Sequence, residues 1–112
     1  MGPNTDEIKS KANLFLSEDL QKQDVRGVNI LADTERPASV GVLDLALLGL
    51  KVRLTTCQYS KKNLRDLKKS LNALFTVLQQ QKSPLIGTVT SLIHDAEWTI
   101  HVGYEHPISN TK

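Results

Sequence analysis

Lys61, Arg65, Lys68 and Lys69 form the densest group of side chains that could do chemistry. At 100° per residue these four cations fall within about 100° of one another on a helix. Such a face can hold the phosphates of RNA or of an anionic membrane. Lys62 extends its edge, and Asp66 is the one acid in the same stretch. The charges crowd the start of the helix, where the macrodipole opposes them, so helix stability alone does not select this placement. Two features speak against nucleic acid: no glycine-rich loop accompanies the run, and no aromatic residue is interleaved with it. The plainer reading is a solvated helix surface.

His94, His101 and His106 lie within 13 residues, with Asp95 and Glu97 nearby. A metal site needs three or four converging ligands, and this spacing does not make them converge. Cys57 is the single cysteine. It excludes an internal disulfide and any cysteine-based zinc site, and favours a reducing compartment. Paired with a histidine it could act as a thiol nucleophile. The surrounding Thr56, Gln58 and Tyr59 resemble no nucleophile motif, so a half-buried small residue is the simpler reading. Asp44 interrupts the apolar run of residues 40–50 and could be a perturbed carboxylate, but a solvent-facing position explains it as well. No nucleophile elbow, phosphate-binding loop, dinucleotide fingerprint or zinc-protease motif is present. No catalytic residue, metal or cofactor is therefore expected.

The elements that must position these groups follow from periodicity. Ile8, Ala12, Phe15, Leu16 and Leu20 recur at helical spacing, which predicts an amphipathic helix over residues 6–22. Residues 25–31 are short, partly alternating and broken by Gly27, which predicts a strand, and residues 33–37 should be a surface loop. Leu48, Leu50, Val52 and Leu54 alternate with Gly49, Lys51, Arg53 and Thr55, the pattern of a half-buried strand. Residues 39–47 fit a second strand, or a short helix using Val40, Leu43 and Leu47. The strand is preferred because Val40-Gly41-Val42 is a poor helix start.

The clearest element opens at Ser60. Leu64, Leu67, Leu71, Leu74 and Leu78 are separated by 3, 4, 3 and 4 positions, which predicts a helix over residues 60–81 that Pro84 forces to end. That spacing also suits a coiled-coil seam, though packing on the domain's own sheet is favoured for so short a stripe. Residues 85–93 and 98–104 read as a hairpin around a turn at 94–97. In that hairpin Trp98, Ile100, Val102 and Tyr104 share one strand face, a candidate protein interface along a sheet edge.

The chain has 112 residues, 39% hydrophobic and 23% charged, with net charge +2, which fits one globular domain. Residues 6–106 are expected to form it, between flexible tails at 1–5 and 107–112. The expected fold is α+β: a small antiparallel sheet of about four strands with two amphipathic helices packed on one face. No signal peptide or membrane span is evident, which points to an intracellular protein, cytoplasmic or nuclear. The function expected is a small non-catalytic protein-interaction or assembly module, an adaptor or a self-associating subunit, with no small-molecule substrate. The alternative is an anionic-surface binder on membrane or RNA using Lys61, Arg65, Lys68 and Lys69. A basic helix beside a compact sheet is also the general make-up of small viral matrix or accessory proteins, a fold-level analogy only.

Overall fold

The computed structural model describes the backbone of residues 15–105 and the side chains of residues 15–102. It contains α1 (Glu18–Leu31), α2 (Val40–Thr56), α3 (Lys61–Gln81) and α4 (Ile86–Glu105). The expected α+β fold is overturned. Among the described residues there is no sheet, and the extended pairing is one isolated bridge between Phe15 and Gln58. The comparison with small viral matrix proteins, which needs a sheet, loses its basis with it.

Serines start three of the helices. Ser17, Ser39 and Ser60 hold extended backbone angles, and each hydroxyl accepts the amide three residues on: Leu20 at 3.2 Å, Val42 at 3.2 Å and Asn63 at 3.1 Å. A serine oxygen there satisfies one of the amides that the first helical turn leaves unpaired. The Ser39 cap offsets the weak propensity of Val40-Gly41-Val42. At the end of α3, Lys82 turns left-handed at φ 55°, its amide donates to Gln79 O at 3.1 Å, and the Ser83 amide donates to Leu78 O at 2.9 Å. These bonds occupy the last carbonyls, and Pro84 prevents continuation. The helix expected over residues 60–81 is thus present.

Its leucines seal as their spacing requires, but against helices. Leu64, Leu67, Leu71, Leu74 and Leu78 are at most 2% exposed. Over them lie Val28 of α1, Leu43, Leu47, Leu50 and Leu54 of α2, and Val89 and Leu92 of α4. The most extensive packing is between α3 and α4, followed by α1 on α3 and then α2 on α4. Short links of residues 32–39, 57–60 and 82–85 join successive helices, and of the successive pairs α3 and α4 pack most extensively.

Each expected strand is corrected by a packing pattern that local preference concealed. Residues 25–31 belong to α1, whose inner face is Gln21, Val25, Val28 and Leu31. A polar residue on that face hides the helical period. Of the helix expected over 6–22, residues 6–14 lie outside the described ones, and residues 15–17 precede the Ser17-capped start. Val40–Thr56 is one helix, which overturns the two strands; of the alternative short helix through Val40, Leu43 and Leu47, the two leucines are buried and Val40 is exposed. The hairpin of 85–104 is also helix, and its turn at 94–97 is a mid-helix stretch. Leu85, Val89, Leu92 and Ala96 form the buried stripe there. Thr88, Val89, Thr90, Ile93, Thr99, Ile100 and Val102 give the segment a β-like composition, and tertiary burial overrides that weak preference.

Two polar knots fix the bundle's geometry. Gln21, 4% exposed, donates to Leu16 O at 2.7 Å and accepts from Ser60 N at 2.8 Å and Asn63 Nδ2 at 3.0 Å. It ties the entry of α1 to the start of α3. Asp24 accepts from the Tyr59 hydroxyl and takes two bonds from Arg53, Nε to Oδ2 at 2.9 Å and Nη2 to Oδ1 at 2.9 Å. This two-pronged geometry is the strong form of an arginine–carboxylate pair. It clamps α1 to the C-terminal end of α2.

Candidate interaction surface on the second helix

The residues of α2 divide into two apolar stripes. Leu43, Leu47, Leu50 and Leu54 fall within about 60° and are at most 4% exposed. Val42, Leu45, Leu48 and Val52 fall within about 120° on the opposite side and are 59%, 72%, 59% and 52% exposed. Gly41, Gly49, Thr55 and Thr56 fill the rest of that outer face, so none of its own positions is charged, although the Arg53 guanidinium lies against Gly49 at its edge. A helix on the surface of a bundle ordinarily turns polar residues outward; one that is apolar all round is ordinarily covered. The two interleaved stripes also explain the apparent strand. Leu50 and Leu54 point inward, Leu48 and Val52 outward, and together they mimic alternation.

Grooves flank this face. Between α1 and α2 an open groove of about 240 Å³ is lined by Gly27, Val28, Ile30, Leu31, Ala46 and Leu50, among others. Ile30 is 64% exposed at its lip, and Gln23, Asp24 and Arg53 line the same groove. On the other side, Asp44, Leu48 and Lys51 face Gly87, Thr88 and Ser91 of α4 across a second groove of about 420 Å³. Lys51 Nζ bridges it, donating to Asp95 Oδ2 at 2.6 Å and to Ser91 Oγ at 3.0 Å. These contacts clamp α2 to α4.

The residues singled out from sequence are placed as follows. Lys61, Arg65 and Lys69 lie exposed on the outer side of α3, while Lys68 is half-buried and paired with Glu97 of α4 at 3.2 Å. Lys62 pairs with Asp66 at 2.9 Å. Acids thus meet part of the basic face. Trp98 and Ile100 do not share a surface, because a two-residue step on a helix turns about 200°, whereas Val102, four residues on from Trp98, returns to its face. Trp98 is 67% exposed, whereas Ile100 packs against the core. The side chain of Tyr104, together with His106 and the tails at 1–5 and 107–112, lies outside the described residues.

His94 is exposed and sits 3.5 Å from Glu97, and no group of three metal-binding side chains converges among the described residues. The side chain of Cys57 has Thr56 Oγ1 as its polar neighbour at 3.7 Å. Asp44 is exposed, and its carboxylate has no ion pair among the described residues. Its groove holds neither histidine nor cysteine. No helix of the described residues is long and apolar enough to cross a membrane.

The Asp24 clamp has a pH signature. Burial, followed by the hydrogen bond to Asp24, raises the Tyr59 hydroxyl above its usual range. The unfolded chain releases this proton near pH 10 and the folded protein does not, so this contribution to stability is complete below about pH 10 and declines above it. Urea melts of the wild type are expected to lose stability between about pH 10 and 11 more steeply than melts of Tyr59→Phe. Equal slopes would separate the clamp from that loss.

The sequence hides the outer stripe of α2 because Leu48 and Val52 alternate in phase with Leu50 and Leu54, as on one buried strand face. The available signal was the excess of apolar positions over residues 40–54, more than one helix face can bury. Compared with protein-family models, curated proteins and solved structures, this chain finds no match.

Proposed function

We propose that this protein is a non-catalytic assembly module that associates with a second copy of itself through the outer face of α2. The observation that carries the reading is the uncharged stripe of Val42, Leu45, Leu48 and Val52, each more than half exposed. Surface of this kind, bounded by polar rims, is characteristic of interaction sites. A second copy is the occupant that an uncharged face fits directly, since two such faces meet without like-charge repulsion.

Complete burial of a valine or leucine is worth about 1.5–3 kcal/mol, so covering the exposed part of each side chain gives about 1–2 kcal/mol. The eight side chains of two copies supply on the order of 8–16 kcal/mol, against roughly 4–15 kcal/mol lost on association. These are comparable. The pairing is therefore reversible and concentration-dependent, with dissociation in the micromolar range or weaker.

Sedimentation velocity of the wild type across micromolar to millimolar concentrations tests this. The weight-average mass is expected to climb from 12.4 kDa towards twice that value. A constant 12.4 kDa across the whole range would overturn self-association and leave the stripe to a different protein or to lipid.

A further inference from the structure

We infer that two copies pair their α2 helices antiparallel about a two-fold axis, in a register that sets Leu45 against the partner's Leu48 and Asp44 against the partner's Lys51. The inference rests on the self-association proposed above and adds its geometry.

The outer face of α2 reads as a short heptad seam. Gly41, Leu45, Leu48, Val52 and Thr55 are separated by 4, 3, 4 and 3 positions and form its centre. Along one rim of the seam stand Asp44 and Lys51, seven residues apart and so on the same side. In an antiparallel pair related by a two-fold axis, each rim meets its own counterpart, and a residue early in one helix faces a residue late in the other. Asp44 can therefore meet the partner's Lys51, and the contact occurs twice.

Side-chain packing and charge select the same register independently. When Leu45 lies level with the partner's Leu48, Gly41 lies level with the partner's Val52. Nothing stands within 4 Å of a side chain built at Gly41, so there is room for that valine. In this register Asp44 and the partner's Lys51 are offset by two residues, about 3 Å along the axis. A slip of one heptad in one direction brings Lys51 opposite the partner's Lys51. The opposite slip brings Asp44 opposite the partner's Asp44. Both slips place like charges together, and the central register alone places opposite ones. The Lys51 ammonium has three donors, of which Ser91 and Asp95 take two. The third is available to the partner's Asp44, whose carboxylate has no ion pair among the described residues of its own chain.

Charge exchange tests this geometry. Asp44→Lys alone and Lys51→Glu alone each place like charges opposite one another in both symmetric contacts. Each variant is expected to dissociate about tenfold more readily than the wild type, a difference of about 1.4 kcal/mol. Mixed together, the two variants restore opposite pairs and should form a heterodimer of wild-type strength. Circular dichroism checks that both variants keep their helices. Should Lys51→Glu fail to fold, a mixture of Leu45→Cys and Leu48→Cys chains in a Cys57→Ser background gives the same information. On oxidation, the disulfide between position 45 of one chain and position 48 of the other should form ahead of either homodimer. If the wild type pairs but the charge variants pair as it does, or the cysteine mixture shows no such preference, the register is wrong while self-association stands. A wild type that never pairs removes both.

Discussion

Replacing Leu45 and Leu48 together by glutamate should hold the protein at 12.4 kDa at every concentration where the wild type associates. The substitution places four carboxylates at the centre of the proposed contact, where the nearest cation is the rim ammonium of Lys51, already engaged by Asp95. Burying unpaired charge costs several kcal/mol, so the dissociation constant should rise by at least about 100-fold, or about 2.7 kcal/mol. The fold should not suffer. Both side chains are mostly in solvent, at 72% and 59% exposure, and replacements at such positions usually change stability by about 0.5 kcal/mol or less. Sedimentation and a thermal melt of the same sample separate the two effects. A melt unchanged with association lost places the interface on this stripe. An association constant equal to that of the wild type would place it elsewhere.

Leu71→Ala is expected to do the reverse. Leu71 is fully buried at the middle of the leucine ribbon of α3, the helix on which both α1 and α4 pack. Truncation removes the transfer energy of the lost methyl groups and leaves a cavity that the bundle can close only in part. The cost should be about 2–5 kcal/mol, out of a total stability that for small domains is about 5–15 kcal/mol. Urea denaturation should show the midpoint fall sharply, and association should weaken only as far as the folded population does. A loss below about 0.5 kcal/mol would mean that Leu71 is not held in a close-packed core.

These two predictions fall on either side of what the sequence makes legible. The ribbon from Leu64 to Leu78 could be read outright, because α3 has one apolar stripe, one polar face, a serine cap at Ser60 and a proline beyond its end. The other helices each break one of those conditions. In α1, Gln21 takes a core position, and its burial is tolerable only because Leu16, Gln58, Ser60 and Asn63 satisfy its amide, partners that sequence does not display. In α4, threonines and β-branched residues give a strand-like composition, while the helical stripe depends on Ala96, too small to stand out in a hydropathy pattern. In α2, apolar residues on both faces erase the contrast from which helical periodicity is read.

The difficulty with α2 and its proposed role have the same origin. A helix that needed only to bury Leu43, Leu47, Leu50 and Leu54 would turn charge outward. This one keeps Val42, Leu45, Leu48 and Val52 outward and confines its charges to Asp44, Lys51 and Arg53. Two of those cations brace the helix within the subunit, Lys51 to Asp95 and Arg53 to Asp24. The outer stripe is thus presented on a helix clamped at both sides, and a rigid, preorganised face loses little conformational entropy when it docks. The basic face of α3 and the stripe through Trp98 are the surfaces that the sequence brings forward. Glu97 and Asp66 partly meet the first, and in the second helical geometry separates Trp98 from Ile100 while keeping Val102 on its face.

The central claim is that the outer stripe of α2 is covered by its counterpart on a second molecule. Methyl NMR of the protein, titrated from dilute to concentrated solution, tests this most directly. The methyl resonances of Val42, Leu45, Leu48 and Val52 should move together along one binding curve, while those of Leu64 and Leu71 stay fixed. Concentration-dependent shifts that spare these four residues, or no shifts at all up to millimolar protein, would contradict it.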